Sequence, residues 1–368
     1  MKTRFNINTK KIKRQVLHHV KALRALILLF IVAVVLLLGI FLFKSIAKTP
    51  VGAVVGLGRD FIFPSTERIT VNNGRVNVLI LGIGGAGHDG PDLTDTMLMA
   101  SISTNSHKMT LISVPRDIWI PDLKDKINSA YMYGKQKQGV GGGLLLAKST
   151  MEEVLGVQVD YAVLMDFGGF KDVIDTLGGI SVNVKTGFTD SQYPIDGHEN
   201  DLCNGDPTFA CRYMIISFKP GVQTMDGTTA LEFVRSRHAS GTEGNDIARE
   251  VRQQLVIAAI IKRALTPSVF TNINTDENIL TIAQKNIQTD MKLSEEATLA
   301  RYLVDARANM KSYTIPDSLL YNPPNEYKYF NSIFTHAFVF IPNNKQSIIG
   351  NSEDWSDVHQ WVQTVLPY

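Results

Sequence analysis

The chain has 368 residues, 44% hydrophobic and 20% charged, a balance that supports a folded core and excludes a disordered or low-complexity chain. Its net charge of +2 is uneven: residues 1–24 carry eight basic side chains and no acid, leaving 29 basic against 35 acidic beyond them. That acidic remainder excludes a bulk nucleic-acid binder, and two cysteines exclude a disulfide-rich scaffold or a Cys-based zinc site.

In chain order, residues 1–24 read as a basic cytoplasmic tail. Ala25 to Phe43, ALILLFIVAVVLLLGIFLF, holds no charge; as a helix it rises about 28 Å, enough to cross a bilayer's hydrocarbon core. A cleaved signal peptide has a shorter apolar region, of about 7–15 residues, so the run predicts a transmembrane anchor. The basic excess before it places the N-terminus in the cytoplasm and everything from about residue 44 outside. Residues 44–75, with scattered Gly, Pro and Ser, read as a stalk. Arg75 to Gly82 (RVNVLILG), Met97 to Ile102 and Met109 to Val114 read as buried strands. A helix is predicted over Leu144 to Leu155, a strand over Asp160 to Met165, a short helix over Phe170 to Leu177 and a strand over Ile180 to Val184.

Residues 186–218 are polar and irregular and fit an inserted loop. It contains Cys203 and Cys211, which bracket CNGDPTFAC; a disulfide is the expectation outside the membrane, with two free thiols as the alternative. From Asp226 the pattern turns helical, Phe233 to Arg237 reads as a strand, and Ile247 to Leu265 as a long helix. A further helix is expected at Ser294–Met310 and strands near Ala337–Ile341. Strands alternating with helices predict an α/β domain whose sheet is covered on both faces.

Four segments could carry chemistry. GIGGAGHDGPDLTDT, Gly82 to Thr96, follows the first strand, where α/β sheets bind ligands. Its glycines admit a phosphate to the backbone, and Asp89, Asp92 and Asp95 are hard oxygen ligands suited to Mg²⁺; a plain surface loop is the alternative. Gly82, Gly84 and Gly87 have the dinucleotide-fingerprint spacing, but no clean helix follows. SVPRD, Ser113 to Asp117, aims Arg116 into the same crevice, unless Asp117 pairs it off. FVRSRH, Phe233 to His238, puts Arg235 and Arg237 on one face if it is a strand, and two guanidinium groups side by side invite an anion. NDIAREVRQQ, Asn245 to Gln254, opens the long helix with Asp246 as a candidate N-cap. Asp246, Arg249 and Gln253 fall within about 60° of one another on it. Together these supply four arginines and several carboxylates, the inventory of a metal-assisted phosphoryl-transfer or diphosphate-binding centre. His88 and His238 lie in these loops, but neither a zinc-binding HExxH pair nor a nucleophile elbow is present.

These residues resemble the LytR-CpsA-Psr family of bacterial cell-envelope proteins. The likeness runs in order through DLTDTMLMASI, LISVPRD, DKINSAYMYG, LGGISVNV, GVQTMDGTTALEFVRSR and DIAREVRQQ, roughly residues 75–265. The resemblance implies a single α/β/α domain with a central mixed sheet, its core at 76–265 and a C-terminal extension at 266–368 completing or flanking it. It implies a transferase that moves a glycopolymer such as teichoic acid or capsule, with its phosphate, from a polyprenyl diphosphate lipid at the cell membrane to peptidoglycan. Arg116, Arg235 and Arg237 match the family's diphosphate-binding and catalytic arginines. Asp246, Arg249 and Gln253 match its helix positions, and Asp95 its metal-loop aspartate, which implies Mg²⁺ or Mn²⁺. Two positions depart from the pattern: Gly84 stands where the family has a second metal-binding Asp, and Leu93 where it has Arg. Asp89 or Asp92 is the expected replacement ligand. The competing readings are a non-catalytic polyprenyl-diphosphate-binding protein and a pyrophosphatase acting on the same lipid.

Overall fold

The structure, a computed structural model, describes residues 56, 59–88, 90–198, 200–264, 266, 285–324, 327–329, 332–334, 338–348 and 353–366. The chain divides into two units, Met1–Phe63 and Pro64–Tyr368. In the first, Arg59 and Asp60 form an ion pair at 2.9 Å. The expected anchor at 25–43 lies outside the described residues, among which no helix is long and apolar enough to cross a membrane.

The second unit is built on a six-stranded mixed sheet. In chain order its elements are β1 (Arg75–Ile83), β2 (Thr94–Ser103), β3 (Met109–Ser113), α1 (Ala130–Leu155), β4 (Tyr161–Asp166), α2 (Phe167–Thr176) and β5 (Ile180–Val184). Then come β6 (Phe188–Pro194), β7 (Tyr213–Phe218), β8 (Gly221–Met225), α3 (Gly227–Arg235), α4 (Asp246–Ala264), β9 (Ile287–Thr289), α5 (Leu293–Ala306), β10 (Met310–Thr314) and α6 (Ser356–Val365). The sheet order is β9-β4-β1-β2-β3-β10. β1 pairs antiparallel with β2 and parallel with β4, and β10 joins β3 in parallel. Both edge strands therefore come from residues after 285, so the C-terminal part belongs to the same sheet as the core.

Period-two alternation explains the layers. Leu79, Leu81 and Ile83 of β1 and Met97 and Met99 of β2 pack on one face, against Leu144, Ala147, Met151 and Val154 of α1 and Val358 and Val362 of α6. Val76, Val78, Leu98, Ala100 and Ile102 face the other way, toward α4 and α5. Helices thus cover both faces, as the strand-helix alternation predicts. Ile69, inside the expected stalk, is buried in the second of these cores, so the folded unit begins before residue 75.

Three readings are corrected. Phe233 to Arg237 is not a strand: α3 runs through Arg235, capped by Asp226, whose carboxylate accepts from Thr229 N at 2.8 Å. Its buried Ala230, Leu231, Phe233 and Val234 have helical spacing, and that outweighs the strand-like local composition. Residues 186–218 are not only loop: β6 and β7 form an antiparallel arm there, with Phe188 and Phe218 packed on Phe233. The arm's tip carries the Cys203–Cys211 disulfide. Lastly, α1 starts fourteen residues before the predicted helix, across a break at Gln138 and Gly139; the glycines of KQKQGVGGG mask it by their poor helix propensity.

Candidate functional site

Two cavities adjoin at the carboxyl end of β1. The larger, about 430 Å³, lies between the sheet and helices α4 and α5, lined by residues such as Ile80, Ala100, Val256, Ile257, Leu299 and Leu303. The smaller, about 290 Å³, is polar and lined by Asp95, Gln192, Tyr213, Arg235, Arg237, His238, Arg249 and Gln253 among others. Thr96, Phe167, Val234 and Gln253 line both.

Each arginine arrives from a different element. Arg116 follows β3 and pairs with Asp95 of β2, with Asp117 at 3.5 Å from its Nε. Asp117 is shared with Lys126 Nζ at 2.5 Å. Arg237 Nη2 lies 3.4 Å from Asp95, so one carboxylate joins two of the predicted arginines. Arg235, in the last turn of α3, pairs with Asp196 at 3.0 Å and sits over the Phe167 ring at 4.6 Å. Helical rather than strand geometry therefore delivers Arg235, and the loop after α3 delivers Arg237, to the same cavity. Arg249 is buried in the first turns of α4, and Gln253 lies one turn further along. Gln254 ties this helix to the sheet, donating from Nε2 to Ser113 Oγ at 2.7 Å and to the Tyr313 carbonyl at 2.8 Å. The arginines after β3 and on α4 are thereby held in a fixed relation.

Asp246 is not the N-cap of α4. It is the first helical residue, and Asn245 caps the helix, its side chain accepting from Ala248 N at 2.7 Å. The Asp246 side chain and Asp89 lie outside what the structure describes. Asp92 accepts from Lys135 Nζ at 2.6 Å and lines neither cavity. His88 stacks edge-on against Phe167 at 5.3 Å and packs over Gly84, where an added Cβ would meet its own Cβ at 3.0 Å. The imidazole thus takes up space a side chain at Gly84 would need. Asp95 is the one carboxylate among the described residues that line the polar cavity. The one cluster of potential metal ligands among the described residues is Asp201 with the two bridged cysteines. Among the described residues no cage made of protein ligands alone forms at Asp95; Mg²⁺, however, commonly takes one carboxylate plus substrate phosphates, and the donor set fits that mode.

Several contributors carry little signal in the sequence. Asp166 caps α2, accepting from Gly169 N at 2.7 Å. Tyr193 packs by Arg235, and burial pushes its hydroxyl up to about 12 against the pull of that arginine. Gln192 and Tyr213, from the arm, form one wall. Three arginines converging on a cavity with one carboxylate among its described lining residues have the chemistry to hold an anion, and the oily cavity next to it suits an anion that carries a hydrocarbon chain.

The chain belongs to the LytR_cpsA_psr family, whose model matches residues 62–341. It is 25% identical over 280 residues to the polyisoprenyl-teichoic acid–peptidoglycan teichoic acid transferase TagU of Bacillus cereus, covering 75% of this chain and 80% of that protein. It is 34% identical over 245 residues to the TagU of Oceanobacillus iheyensis, covering 65% and 66%. Among solved structures, Bacillus subtilis TagV matches with a TM-score of 0.54 at 24% identity, over 81% of this chain and 99% of that one. B. subtilis TagU matches with a TM-score of 0.51 at 22% identity, over 80% and 98%. These likenesses establish the mixed α/β fold.

Proposed function

We propose that this LytR_cpsA_psr family member is a membrane-anchored phosphotransferase. It moves a glycopolymer, with its phosphate, from a polyprenyl diphosphate carrier to peptidoglycan outside the bacterial cell membrane. The observation that carries this reading is the junction of the two cavities: one oily, one lined by three arginines, meeting at Thr96, Phe167, Val234 and Gln253. Relatives named as teichoic acid transferases support the polymer class and the acceptor. The uncharged run at 25–43 supports the anchor.

The lipid tail lies in the apolar cavity and the diphosphate in the polar one. Before it binds, Asp95 and Asp196 pair with Arg116, Arg237 and Arg235. The diphosphate carries more negative charge than either carboxylate and displaces them from the guanidinium forks. Arg249 and Gln253, from α4, complete the cradle. Asp95, once released, would hold Mg²⁺ or Mn²⁺ against the phosphate oxygens, which supplies further charge neutralisation. A peptidoglycan hydroxyl attacks the phosphorus nearest the glycan, and the bond to the lipid phosphate breaks. Polyprenyl phosphate leaves and the hydroxyl proton passes to solvent. The arginines work by neutralising charge that builds on the phosphoryl oxygens, where most of the barrier lowering in phosphoryl transfer arises.

The test uses the full chain with Mg²⁺ and a polyprenyl diphosphate-linked saccharide, with and without a peptidoglycan oligomer, read by mass spectrometry. A phosphodiester-linked adduct that requires the oligomer is expected. Equal release of polyprenyl phosphate without the oligomer would mean a pyrophosphatase, and bound but unreacted lipid a binding protein.

A further inference from the structure

Arg237 and His238 sit in the short segment between α3 and the turn before α4, outside any helix or strand, and only beyond them does an isolated antiparallel bridge join Ala239 to Asp190. Two buried charged groups grip this segment from behind. Asp190, fully buried on β6, uses one oxygen to accept from Ser236 Oγ at 2.7 Å and from the backbone N–H groups of Arg237 and His238 at 3.1 Å each. Its other oxygen accepts from Gln192 N at 2.9 Å. Burial alone would raise the pKa of this carboxyl, but these donors together hold it below the ordinary range, so it is a carboxylate. Arg252 of α4, 2% exposed, donates to the carbonyls of Phe233 at 2.9 Å, Ser236 at 2.7 Å and Glu243 at 2.8 Å. It closes the grip with the Glu243 carboxylate at 3.0 Å.

Neither group lines the polar cavity, yet between them they turn the segment's N–H groups toward β6 and the Ser236 carbonyl toward α4. With the backbone fixed on those sides, the Arg237 and His238 side chains are left facing the cavity. We infer that Asp190 and Arg252 are positioning residues of the anion site, a two-sided clamp that sets Arg237 and His238 before any ligand binds. The inference rests on the reading of the polar cavity as a diphosphate site. A clamp of this kind removes the cost of ordering the loop when the anion arrives.

Inorganic pyrophosphate titrated into the full chain by calorimetry tests it. Asp190→Asn keeps the shape but puts an amide donor where only acceptors fit, so at least one of the four donors loses its partner. The loss of one well-placed charge-assisted contact corresponds to about tenfold weaker pyrophosphate binding, which is the expected result. Because the effect acts through the Arg237 segment, it should shrink to under about threefold in an Arg237→Ala background, whereas a general loss of packing would add in full. Ser236→Ala, which removes one donor and leaves the carboxylate, carries the test if Asp190→Asn does not fold. It should weaken binding by about threefold, again chiefly when Arg237 is present. If Arg237→Ala loses affinity while Asp190→Asn and Ser236→Ala stay within twofold of wild type, or their effects are fully additive with it, the clamp is overturned and the diphosphate reading stands. If pyrophosphate binds wild type and Arg237→Ala equally, or binds neither, both fall.

Discussion

Replacing Arg116 with alanine separates a catalytic arginine from a structural ion pair. Its two carboxylate partners both keep another cation after the change: Asp117 retains Lys126 at 2.5 Å and Asp95 retains Arg237 at 3.4 Å. The Arg116 side chain is 21% exposed and that of Asp95 35%, so the pair is partly solvated. The stability at stake is then about 1 kcal/mol, or roughly 2–4 °C in melting temperature for a domain of this size. The functional loss is of another order. One charge-assisted contact to a bound diphosphate corresponds to ~10–100-fold in affinity, and an arginine that meets charge developing in the transition state to ~10³-fold or more in rate. Thermal unfolding and single-turnover release of polyprenyl phosphate, measured on the same full-length preparation, give both numbers. A melting temperature lowered by more than about 10 °C, or a folded variant keeping more than about a tenth of the wild-type rate, would refute this reasoning.

Other consequences follow from particular contacts. Asp196 is half-exposed and occupies Arg235 before ligand binds, so Asp196→Ala should tighten pyrophosphate binding by up to ~fivefold; unchanged or weaker affinity by calorimetry counts against the displacement step. Ala300 lines the apolar cavity, so Ala300→Trp should block turnover of a long-chain lipid donor yet leave pyrophosphate affinity within about twofold. Equal turnover of long- and short-chain donors in that variant would place the tail elsewhere. Far from the site, burial pushes the Glu353 carboxyl up to about 8, against a hydrogen bond from Trp355 Nε1 at 3.0 Å and helped by the Glu153 charge. Between its ordinary 4.5 and about 8 the folded chain holds this proton more tightly than the unfolded one, so that contribution to stability is present at low pH and lost as pH rises through the window. Melting curves from pH 5 to 8 should show this decline in wild type and a flatter one in Glu353→Gln; identical slopes would refute it.

The central strands were legible because each is a continuous apolar run whose alternate residues serve two different cores, as in Val76 and Val78 against Leu79 and Leu81. The first half of α1 and the end of α3 were not. In one the glycines hide the helix, and in the other two arginines around a serine look like an alternating strand. The arm's register depends on Phe188 and Phe218 meeting Phe233, a contact between segments that no local pattern encodes. The site shows the same division. Arginines that face a cavity announce themselves by charge in an α/β loop, whereas Asp190 and Arg252 act chiefly on the backbone of a segment remote from each of them in sequence. Asp92 reads as a metal ligand by composition, but Lys135, 43 residues away, takes up its carboxylate.

The most direct test follows the phosphorus atom nearest the glycan, labelled in a polyprenyl diphosphate-linked saccharide given to the full chain with a peptidoglycan oligomer. Attack at that phosphorus predicts that the label leaves with the glycan and is recovered in a phosphodiester on the oligomer, while the lipid departs with a single unlabelled phosphate. Label retained on the lipid as polyprenyl diphosphate would mean that the sugar carbon is attacked instead, and would contradict the account.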